Sequence, residues 1–213
     1  MKEMRKKIFA LLAVLLCFSA ASAQGDKNVD RYLAKDAVPL VNGYVQFDRT
    51  VSAPGKSKAE LYTALKKYVQ TALVEGEEHL PQARVTEADS VDGVIAASME
   101  EYLYFKRTKW AVHRVRFFYQ LVCTVKDGEF GLMMRNLHYR YVPEEAPGSY
   151  DEDLRAEKMI TDEEALTKKG TKLTRIGGKF RRFTIDRKDE IFNGAAKAAG
   201  VAKKYKTVVV EED

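Results

Sequence analysis

The sequence predicts an α+β fold: an antiparallel β-sheet with helices packed on one face, followed by a helical C-terminal extension. Three long segments, 94–106, 114–126 and 129–142, alternate between apolar and polar residues, as half-buried strands do. Asp92-Gly93 and Asp127-Gly128 are tight-turn signals, so short turns are expected between the strands. Because each strand has one apolar face, helices are expected to cover one side of the sheet.

The first two elements are a strand and a helix. Residues 44–52 alternate in polarity, and Pro54-Gly55 ends this strand. Ser57 and Glu60 form a capping box, in which each residue satisfies a backbone N–H of the other. Apolar residues then recur at helical spacing, which predicts a helix over 58–73.

The following part of the chain is predicted to be an antiparallel meander. A short strand over 83–88 precedes the three long strands. In the last strand the apolar phase shifts by one residue near Arg135-Asn136. A phase change of this kind predicts a β-bulge.

The C-terminal third begins with a predicted loop and a predicted helix. Residues 143–157 are acidic and contain Pro147-Gly148, so we expect an exposed loop. Thr161 and Glu164 have the spacing of a second capping box, which predicts a helix running to about Lys169.

A final helix is predicted near the C-terminus. Residues 170–183 contain three glycines and several cations, so this stretch is expected to be irregular. Asp186 is expected to cap a helix over 187–199, and Gly200 is expected to end it.

The first 23 residues have the three-part pattern of a secretory signal. A basic start is followed by an apolar run and then by the small residues Ala21-Ser22-Ala23. We therefore expect cleavage between Ala23 and Gln24 and export to the periplasm, the outer membrane or the medium. A lipoprotein is the alternative because Cys17 lies in the apolar run, although Leu16 stands where lipidation needs a small residue.

These patterns divide the chain into four parts. They are a signal peptide over 1–23, an N-terminal arm over 24–43, an α+β domain over 44–142, and an acidic loop with a helical extension over 143–213. The arm is polar with little periodicity, so it is expected to be loose. A bilayer span takes roughly 20 apolar residues, so the mature chain is expected to have no transmembrane span.

Removal of the signal also removes most of the basic charge. The full chain has a formal net charge of +5, and the signal carries four cations and Glu3, so the mature chain keeps about +2. This small charge is weak evidence for binding to nucleic acid or to anionic membranes, and we expect no nucleic-acid partner.

The cysteine pattern favours a buried thiol. The chain has two cysteines, and Cys17 lies in the signal, which leaves Cys123 without a partner for an intramolecular disulfide. Cys123 alternates with Leu121 and Val125 on the apolar face of a strand. We therefore expect an inert thiol in the core.

Several short motifs resemble a known family. They are Val45-x-Phe47, Pro54-Gly55-Lys56-Ser57-Lys58 with Glu60-Leu61-Tyr62, Asp92-Gly93-Val94-Ile95 and Val125-Lys126-Asp127-Gly128. Together they resemble the domain of unknown function 4468 family, which is found in secreted bacterial proteins, and the resemblance covers about residues 38–142. It implies a TBP-like or helix-grip-like α+β fold. The motifs are a cap, turns and core positions, so the resemblance implies neither catalysis nor DNA binding.

The sequence shows no converging set of catalytic or metal-binding residues. His79, His113 and His138 lack the spacing of metal ligands, and no serine lies in a nucleophile elbow. Glu100 and Glu101 are adjacent on a strand, so they are expected to point to opposite faces and cannot act as a pair. We therefore predict no catalytic residue, no metal and no cofactor, and a protein that is not an enzyme.

An aromatic and basic hairpin is the best candidate for a binding site. Its aromatic residues on the first long strand are expected on the face opposite Leu103 and Phe105. Exposed aromatics beside cations suit contact with a peptide, a glycan or a lipid headgroup. The alternative is that the C-terminal segment folds over this face and buries it. The predicted ligand-binding residues are Tyr102, Tyr104, Arg107, Lys109 and Trp110.

We therefore expect an exported, non-enzymatic binding or interaction module of the bacterial envelope, with an envelope protein, peptide or glycan as its partner. Two alternatives stay open. One is a hydrolase acting on envelope material through a cryptic site on the sheet face. The other is a structural subunit of an envelope assembly joined through an edge strand. A deep pocket with converging titratable groups would favour the hydrolase, and a flat aromatic surface would favour the binding module.

Overall fold

The computed structural model describes residues 31–141 and 153–201 of the chain. The predictions for the signal peptide, for most of the acidic loop and for the last twelve residues lie outside these ranges. The described strands are β1 (Leu40–Val41), β2 (Tyr44–Val45), β3 (Phe47–Ser52), β4 (Arg84–Asp89), β5 (Val94–Arg107), β6 (Val112–Lys126), β7 (Glu129–Tyr141) and β8 (Leu154–Arg155). The described helices are α1 (Lys58–Tyr68), α2 (Asp162–Ala165) and α3 (Gly177–Ala198), with a π-helical segment at Val69–Val74 and a 3-10 turn at Ala156–Lys158.

The main sheet is antiparallel, with the strand order β3-β7-β6-β5-β4. β8 pairs with β7 beyond the end of β3, and β1 pairs with β2 as a separate short hairpin. β5, β6 and β7 form the predicted meander. The Asp-Gly turns lie between β4 and β5 and between β6 and β7. In them Gly93 and Gly128 have a φ of +75°, which glycine adopts without strain.

Helices α1 and α3 cover one face of the sheet and enclose the core with it. α1 packs on β6, and α3 packs on β5, β3 and α1. Alternate residues of the three long strands point into this layer and are buried. They include Ile95, Met99, Leu103, Val115, Phe117, Leu121, Phe130, Leu132 and Tyr139. The predicted α+β fold with helices on one face is therefore confirmed.

Helix α1 begins at the predicted capping box. The Ser57 hydroxyl accepts from the Glu60 N–H at 3.3 Å, and the Glu60 carboxylate accepts from the Ser57 N–H at 2.9 Å. The helical path continues beyond Tyr68 in the π-helical segment. The helix predicted over 58–73 is confirmed, with a change of helix type in its last turns.

The predicted bulge in β7 is also present. Between Phe118 and Gln120 the register with β7 shifts, so that Asn136 and Leu137 together oppose one residue of β6. Asn136 has a φ of +56°, which suits asparagine better than most side chains. The extra residue returns Leu137 to the helix-covered face, where it is buried.

Helix α3 is longer than the sequence predicts. The stretch predicted to be irregular, 170–183, is irregular over 170–176, but α3 begins at Gly177, so the prediction is wrong for 177–183 and the expected cap at Asp186 is wrong as well. A Cβ on Gly177 would lie 2.7 Å from the Met159 carbonyl oxygen, so this glycine permits close packing and does not interrupt the helix. Although α3 has 22 residues, neither it nor any other helix of residues 31–141 and 153–201 is long and apolar enough to cross a membrane.

Helix α2 is shorter than predicted, and the capping box predicted for Thr161 and Glu164 does not form. The Thr161 hydroxyl donates to the Glu157 carbonyl at 3.2 Å and makes no cap hydrogen bond. Leu166 then turns to an extended conformation and pairs with Leu173. This bridge ends the helix after one turn.

Part of the arm predicted to be loose is packed against the domain. The Tyr32 and Val38 side chains are buried. Arg181 of α3, which is fully buried, donates to the Tyr32 carbonyl at 2.7 Å and to the Ile160 carbonyl at 2.9 Å. The expectation of a loose arm is therefore wrong for residues 31–43.

Candidate functional site

The sheet face opposite α1 and α3 carries arginine and aromatic side chains. Because side chains alternate along a strand, these residues of β5, β6 and β7 point away from the helix-covered core. Each is partly exposed, and α3 approaches only one border of this surface, where Tyr102 and Tyr104 line an open cleft with it. We call this surface the arginine–aromatic face, and its residues are Tyr102, Tyr104, Arg114, Arg116, Phe118, His138 and Arg140.

Strand register brings these residues together from distant parts of the sequence. Tyr102 lies opposite Arg116, and Arg116 lies opposite Arg140 on the next strand. In the neighbouring row Phe118 lies opposite His138. Directly opposed residues of antiparallel strands have Cβ atoms about 5 Å apart, so the two rows form one continuous surface.

Guanidinium groups and rings stack on this face. The Arg114 guanidinium lies 3.9 Å from the Tyr102 ring centroid. Arg116 and Arg140 lie 5.4 Å and 5.3 Å from the Phe118 centroid. Phe118 and His138 are stacked with an interplanar angle of 3°. These distances are those of cation–π and π-stacking contacts.

Two carboxylates pair with the arginines of the face. The Arg116 Nε donates to the Glu100 Oε1 at 2.7 Å, and this carboxylate is buried beneath the guanidinium. The Arg140 Nε donates to the Asp153 Oδ1 at 2.5 Å. This hydrogen bond holds the pKa of Asp153 below its usual range.

Two further arginines flank the face. The Arg135 Nε donates to the Gln120 Oε1 at 2.7 Å. Arg155 on β8 lies directly opposite His138, so its side chain projects from the same face. Neither Arg135 nor Arg155 forms a salt bridge with a carboxylate in residues 31–141 or 153–201. These two cations extend the positive character of the surface along β7 and β8.

The structure brings three of the five predicted site residues together. Tyr102 and Tyr104 both lie on the arginine–aromatic face, with ring centroids 6.1 Å apart. The Arg107 guanidinium lies 4.6 Å from the Tyr104 centroid and donates to Glu78 at 2.5 Å. Arg107 therefore borders the face at the edge of β5.

The other two predicted residues lie at the tip of the β5–β6 hairpin and not on the face. The turn closes with a hydrogen bond from the Thr108 N–H to the Ala111 carbonyl at 3.0 Å, and Lys109 and Trp110 lie between these two residues. Trp110 is 95% exposed. Lys109 and Trp110 therefore cap the hairpin, as the sequence predicts, and lie beyond the strand positions of Tyr102 and Tyr104.

Sequence reasoning missed the centre of the face. Arg114, Arg116, Phe118, His138 and Arg140 were not predicted, because the register across β6 and β7 joins them. One signal was present in the sequence: Phe118 is an aromatic residue in the polar phase of β6. A single ring of this kind is an ordinary surface feature, and it gains weight only from Arg116, His138 and Arg140, which the register places around it.

The C-terminal helix does not cover this face. Phe180 and Phe183 of α3 contact Phe105 at centroid distances of 4.8 Å and 5.4 Å, on the opposite side of the sheet. Tyr102 and Tyr104 line an open cleft with α3 but stay partly exposed, so α3 borders the two tyrosines without burying them.

The adjacent acids of β5 have separate environments, as predicted. Glu100 lies on the arginine–aromatic face, whereas Glu101 lies under α3 and is 1% exposed. Arg187 donates to both Glu101 oxygens, at 2.9 Å and 2.7 Å, and the Tyr119 hydroxyl donates at 3.2 Å. Both Glu101 oxygens therefore have hydrogen-bond donors from within the protein.

Other reactive side chains are buried or dispersed. Cys123 is buried as predicted, and burial raises the pKa of its thiol to about 12. His79 lies beside β5, His113 near the hairpin tip and His138 on the arginine–aromatic face. In the described ranges no three histidine, cysteine or acidic residues are grouped as a metal site would need.

An open cleft of about 320 Å³ lies between β3 and α3. Its charges compensate one another, since the Asp189 carboxylate lies 2.6 Å from Lys188, 3.4 Å from Arg49 and 3.5 Å from Arg31. The lining that the structure describes contains no serine, cysteine or histidine. The described lining of this cleft therefore lacks the Ser–His or Cys–His pairing of the common hydrolases.

The chain is similar to proteins of unknown function. Residues 47–140 match a family described as a domain of unknown function (DUF4468) with TBP-like fold. A DUF4468 family protein from Bacteroides ovatus, known from a crystal structure, is 33% identical with a TM-score of 0.71, over 80% of this chain and 94% of that one. A TBP-like protein from Parabacteroides distasonis is 19% identical with a TM-score of 0.63, over 78% of this chain and 99% of that one, and it supports the fold alone. No curated protein matches the chain.

Proposed function

Because this chain belongs to the DUF4468 family, a domain of unknown function with TBP-like fold, we propose its function from its own surface: it is an exported, non-enzymatic binding module that holds an anionic ligand on the arginine–aromatic face. The observation that carries this proposal is the stacking of guanidinium groups on rings across a sheet face that no described helix covers, with Arg114 lying 3.9 Å from the Tyr102 centroid.

The chemistry of the face suits a ligand with both acidic groups and flat apolar surfaces. An arginine that stacks on a ring keeps its N–H donors in the guanidinium plane, where they reach carboxylate or sulfate oxygens. The rings of Tyr102 and Phe118 offer planar contacts for the apolar face of a sugar. Arg135 and Arg155 extend the cationic surface beyond the rings. An acidic polysaccharide combines both chemical features.

The buried groups give the hydrolase alternative no support. Glu101 is 1% exposed and bound by Arg187 on both oxygens, so it cannot reach a substrate in this structure. The Cys123 thiol is buried and its pKa is raised to about 12, so it is a poor nucleophile. The accessible side chains of the face instead offer ring stacking and charge–charge interactions.

Export is the part of the proposal that rests on the sequence. Residues 1–23 have the pattern of a secretory signal, and the mature chain would then begin at Gln24. N-terminal sequencing of the protein from a periplasmic or culture fraction should begin at Gln24. An intact Met1 on protein found only in the cytosol would contradict this part.

Calorimetric titration with a defined acidic polysaccharide tests the binding function. Mature protein should bind polygalacturonate, with affinity that falls as salt rises, and should not bind neutral dextran. Phe118→Ala and Arg135→Gln should each weaken binding about threefold to tenfold, since each removes one ring or charge contact.

A control variant and a titration with nucleic acid test whether the binding is specific. Trp110→Ala removes the most exposed ring of the hairpin tip and should leave the affinity unchanged, because Trp110 lies off the face. Single-stranded DNA should bind more weakly than polygalacturonate. Equal binding of dextran, or no response to any acidic ligand, would contradict the proposal.

A further inference from the structure

A second surface lies where β5 extends past β4, the strand at the other edge of the sheet. There an open cleft of about 330 Å³ separates the outer side of β5 from α3. We call it the edge cleft, and the lining residues that matter are Glu78, Tyr104, Phe183, Asp186, Arg187 and Glu190. The four residues from α3 follow the spacing of one helix face, so they form a single wall.

The outer side of β5 is only partly occupied. β4 pairs with residues 94–98. The preceding loop extends this pairing, since Leu80 donates to the Glu100 carbonyl at 2.8 Å and Tyr102 donates to the Glu78 carbonyl at 3.1 Å. Beyond Tyr102, no backbone from residues 31–141 or 153–201 pairs with the outer side of β5.

Backbone groups of β5 therefore face the edge cleft. The Tyr102 N–H points outward, because it donates to Glu78. In an antiparallel strand the C=O of the same residue and the N–H two residues later point the same way. The Tyr102 carbonyl and the Tyr104 N–H thus present a template to which an extended chain can add.

The edge cleft is acidic, in contrast to the arginine–aromatic face. Its described lining holds three carboxylates, Glu78, Asp186 and Glu190, and one guanidinium, Arg187. Arg187 is shared between two acids: it binds the buried Glu101 and also lies 2.8 Å from Glu190. One cation between two carboxylates leaves a net negative charge at this point.

The position of Glu190 makes this charge available. Its side chain is 69% exposed, whereas Asp186 is paired with Arg31 and also accepts from Tyr32 at 2.7 Å, and Glu78 accepts from Arg107 at 2.5 Å. A cationic side chain of a ligand would balance the negative charge that remains on the group formed by Glu101, Arg187 and Glu190. Aromatic rings beside such a position contact the methylene stem of a lysine or arginine and attract its charge.

We propose that the edge cleft binds an extended peptide segment of a partner protein, which adds to β5 as a strand and places a lysine or arginine side chain beside Glu190. Main-chain hydrogen bonds to Tyr102 and Tyr104 supply the docking, and the acidic wall of α3 supplies the preference for a basic residue. This site adjoins the arginine–aromatic face, shares Tyr102 and Tyr104 with it, and has the opposite charge preference.

NMR titration of ¹⁵N-labelled mature protein tests the site. The probe is a short synthetic peptide of alternating threonine and valine with a central lysine. Its addition should shift the amides of residues 102–104 and 183–190. A peptide with glutamate in place of the lysine should bind about tenfold more weakly, and a peptide N-methylated along its backbone should not bind.

Variants separate this proposal from the function proposed for the opposite face. Glu190→Gln should weaken lysine-peptide binding about threefold, and the matched surface variant Glu87→Gln on β4 should not change it. Phe118→Ala should leave peptide affinity unchanged while it reduces polysaccharide binding. Glu190→Gln should show the reverse pattern, so failure of either proposal is visible without failure of the other.

Two results would overturn the edge-cleft proposal. One is equal affinity for the lysine and glutamate peptides, or the absence of binding by both. The other is a set of shifts centred on β3, at the opposite edge of the sheet. Binding there would show that the peptide adds to a strand edge without the acidic wall of α3.

Discussion

Arg187 in α3 and Glu101 in β5 form a doubly hydrogen-bonded ion pair between the helix layer and the sheet, with Glu101 buried and Arg187 at the wall of the edge cleft. The Arg187 Nε lies 2.9 Å from the Glu101 Oε1, and its Nη2 lies 2.7 Å from the Oε2. Burial opposes the charged form of Arg187, but its hydrogen bonds to Glu101 outweigh this and raise its pKa. The pair joins the helix layer to β5, the strand that contributes to both proposed binding surfaces.

Breaking this pair from one side should cost more than replacing it whole. Arg187→Met leaves the Glu101 charge buried without its partner, and we expect a loss of about 3–5 kcal/mol in the free energy of unfolding. The double variant Arg187→Met/Glu101→Leu removes both charges and should recover much of this loss. Urea unfolding of the wild type and the variants measures both values. A double variant as unstable as the single one would argue against the buried-charge explanation.

Close packing at the start of α3 predicts an unusual response to alanine. Gly177→Ala would place a Cβ 2.7 Å from the Met159 carbonyl and 2.8 Å from the Glu164 carbonyl, both backbone atoms. We expect destabilisation of about 1–3 kcal/mol, although alanine is the better helix former. Thermal unfolding measures the change, and the exposed substitution Lys179→Ala in the same turn serves as the control. A stabilised Gly177→Ala protein would contradict the packing.

The buried thiol should be inert in the folded protein. Burial raises the pKa of Cys123 to about 12, so very little thiolate exists near neutral pH and the side chain is inaccessible. Ellman's reagent should react slowly with native mature protein and rapidly in urea. Rapid reaction of the native protein, or a reducible dimer on a gel, would show that the thiol is accessible.

The Arg140–Asp153 pair predicts a specific pH dependence. Because the hydrogen bond from Arg140 lowers the pKa of Asp153 in the folded state, the pair stabilises the protein above the unfolded pKa of about 4. That contribution is lost as pH falls through the lowered folded value. Carboxyl-detected NMR should show a higher Asp153 midpoint in Arg140→Gln than in the wild type. An unchanged midpoint would mean that the hydrogen bond does not set the titration.

The sheet was predictable from sequence because its signals are local. Alternating polarity located the long strands, Asp-Gly pairs located their turns, and the phase shift near Asn136 located the bulge. The capping box at Ser57 and Glu60 located α1. Each of these features depends on residues that are close together in the chain.

Helix α3 and the centre of the face were harder to predict because they depend on tertiary contacts. Gly177 suggested a break, yet it fits against the backbone of another segment. Arg181 lies in the stretch that the sequence predicts to be irregular, but it is fully buried in α3 and bonded to backbone carbonyls. Phe118 and His138 stack only because the β6–β7 register, including its bulge, places them opposite each other.

The most direct test of the central claim is chemical-shift mapping of ¹⁵N-labelled mature protein with an oligogalacturonate. If the arginine–aromatic face is the binding surface, the largest shifts should fall on Tyr102, Arg116, Phe118 and His138, and Phe118→Ala should reduce them. Shifts centred on the helix-covered side, or on the hairpin tip at Trp110 with the face unchanged, would contradict the account.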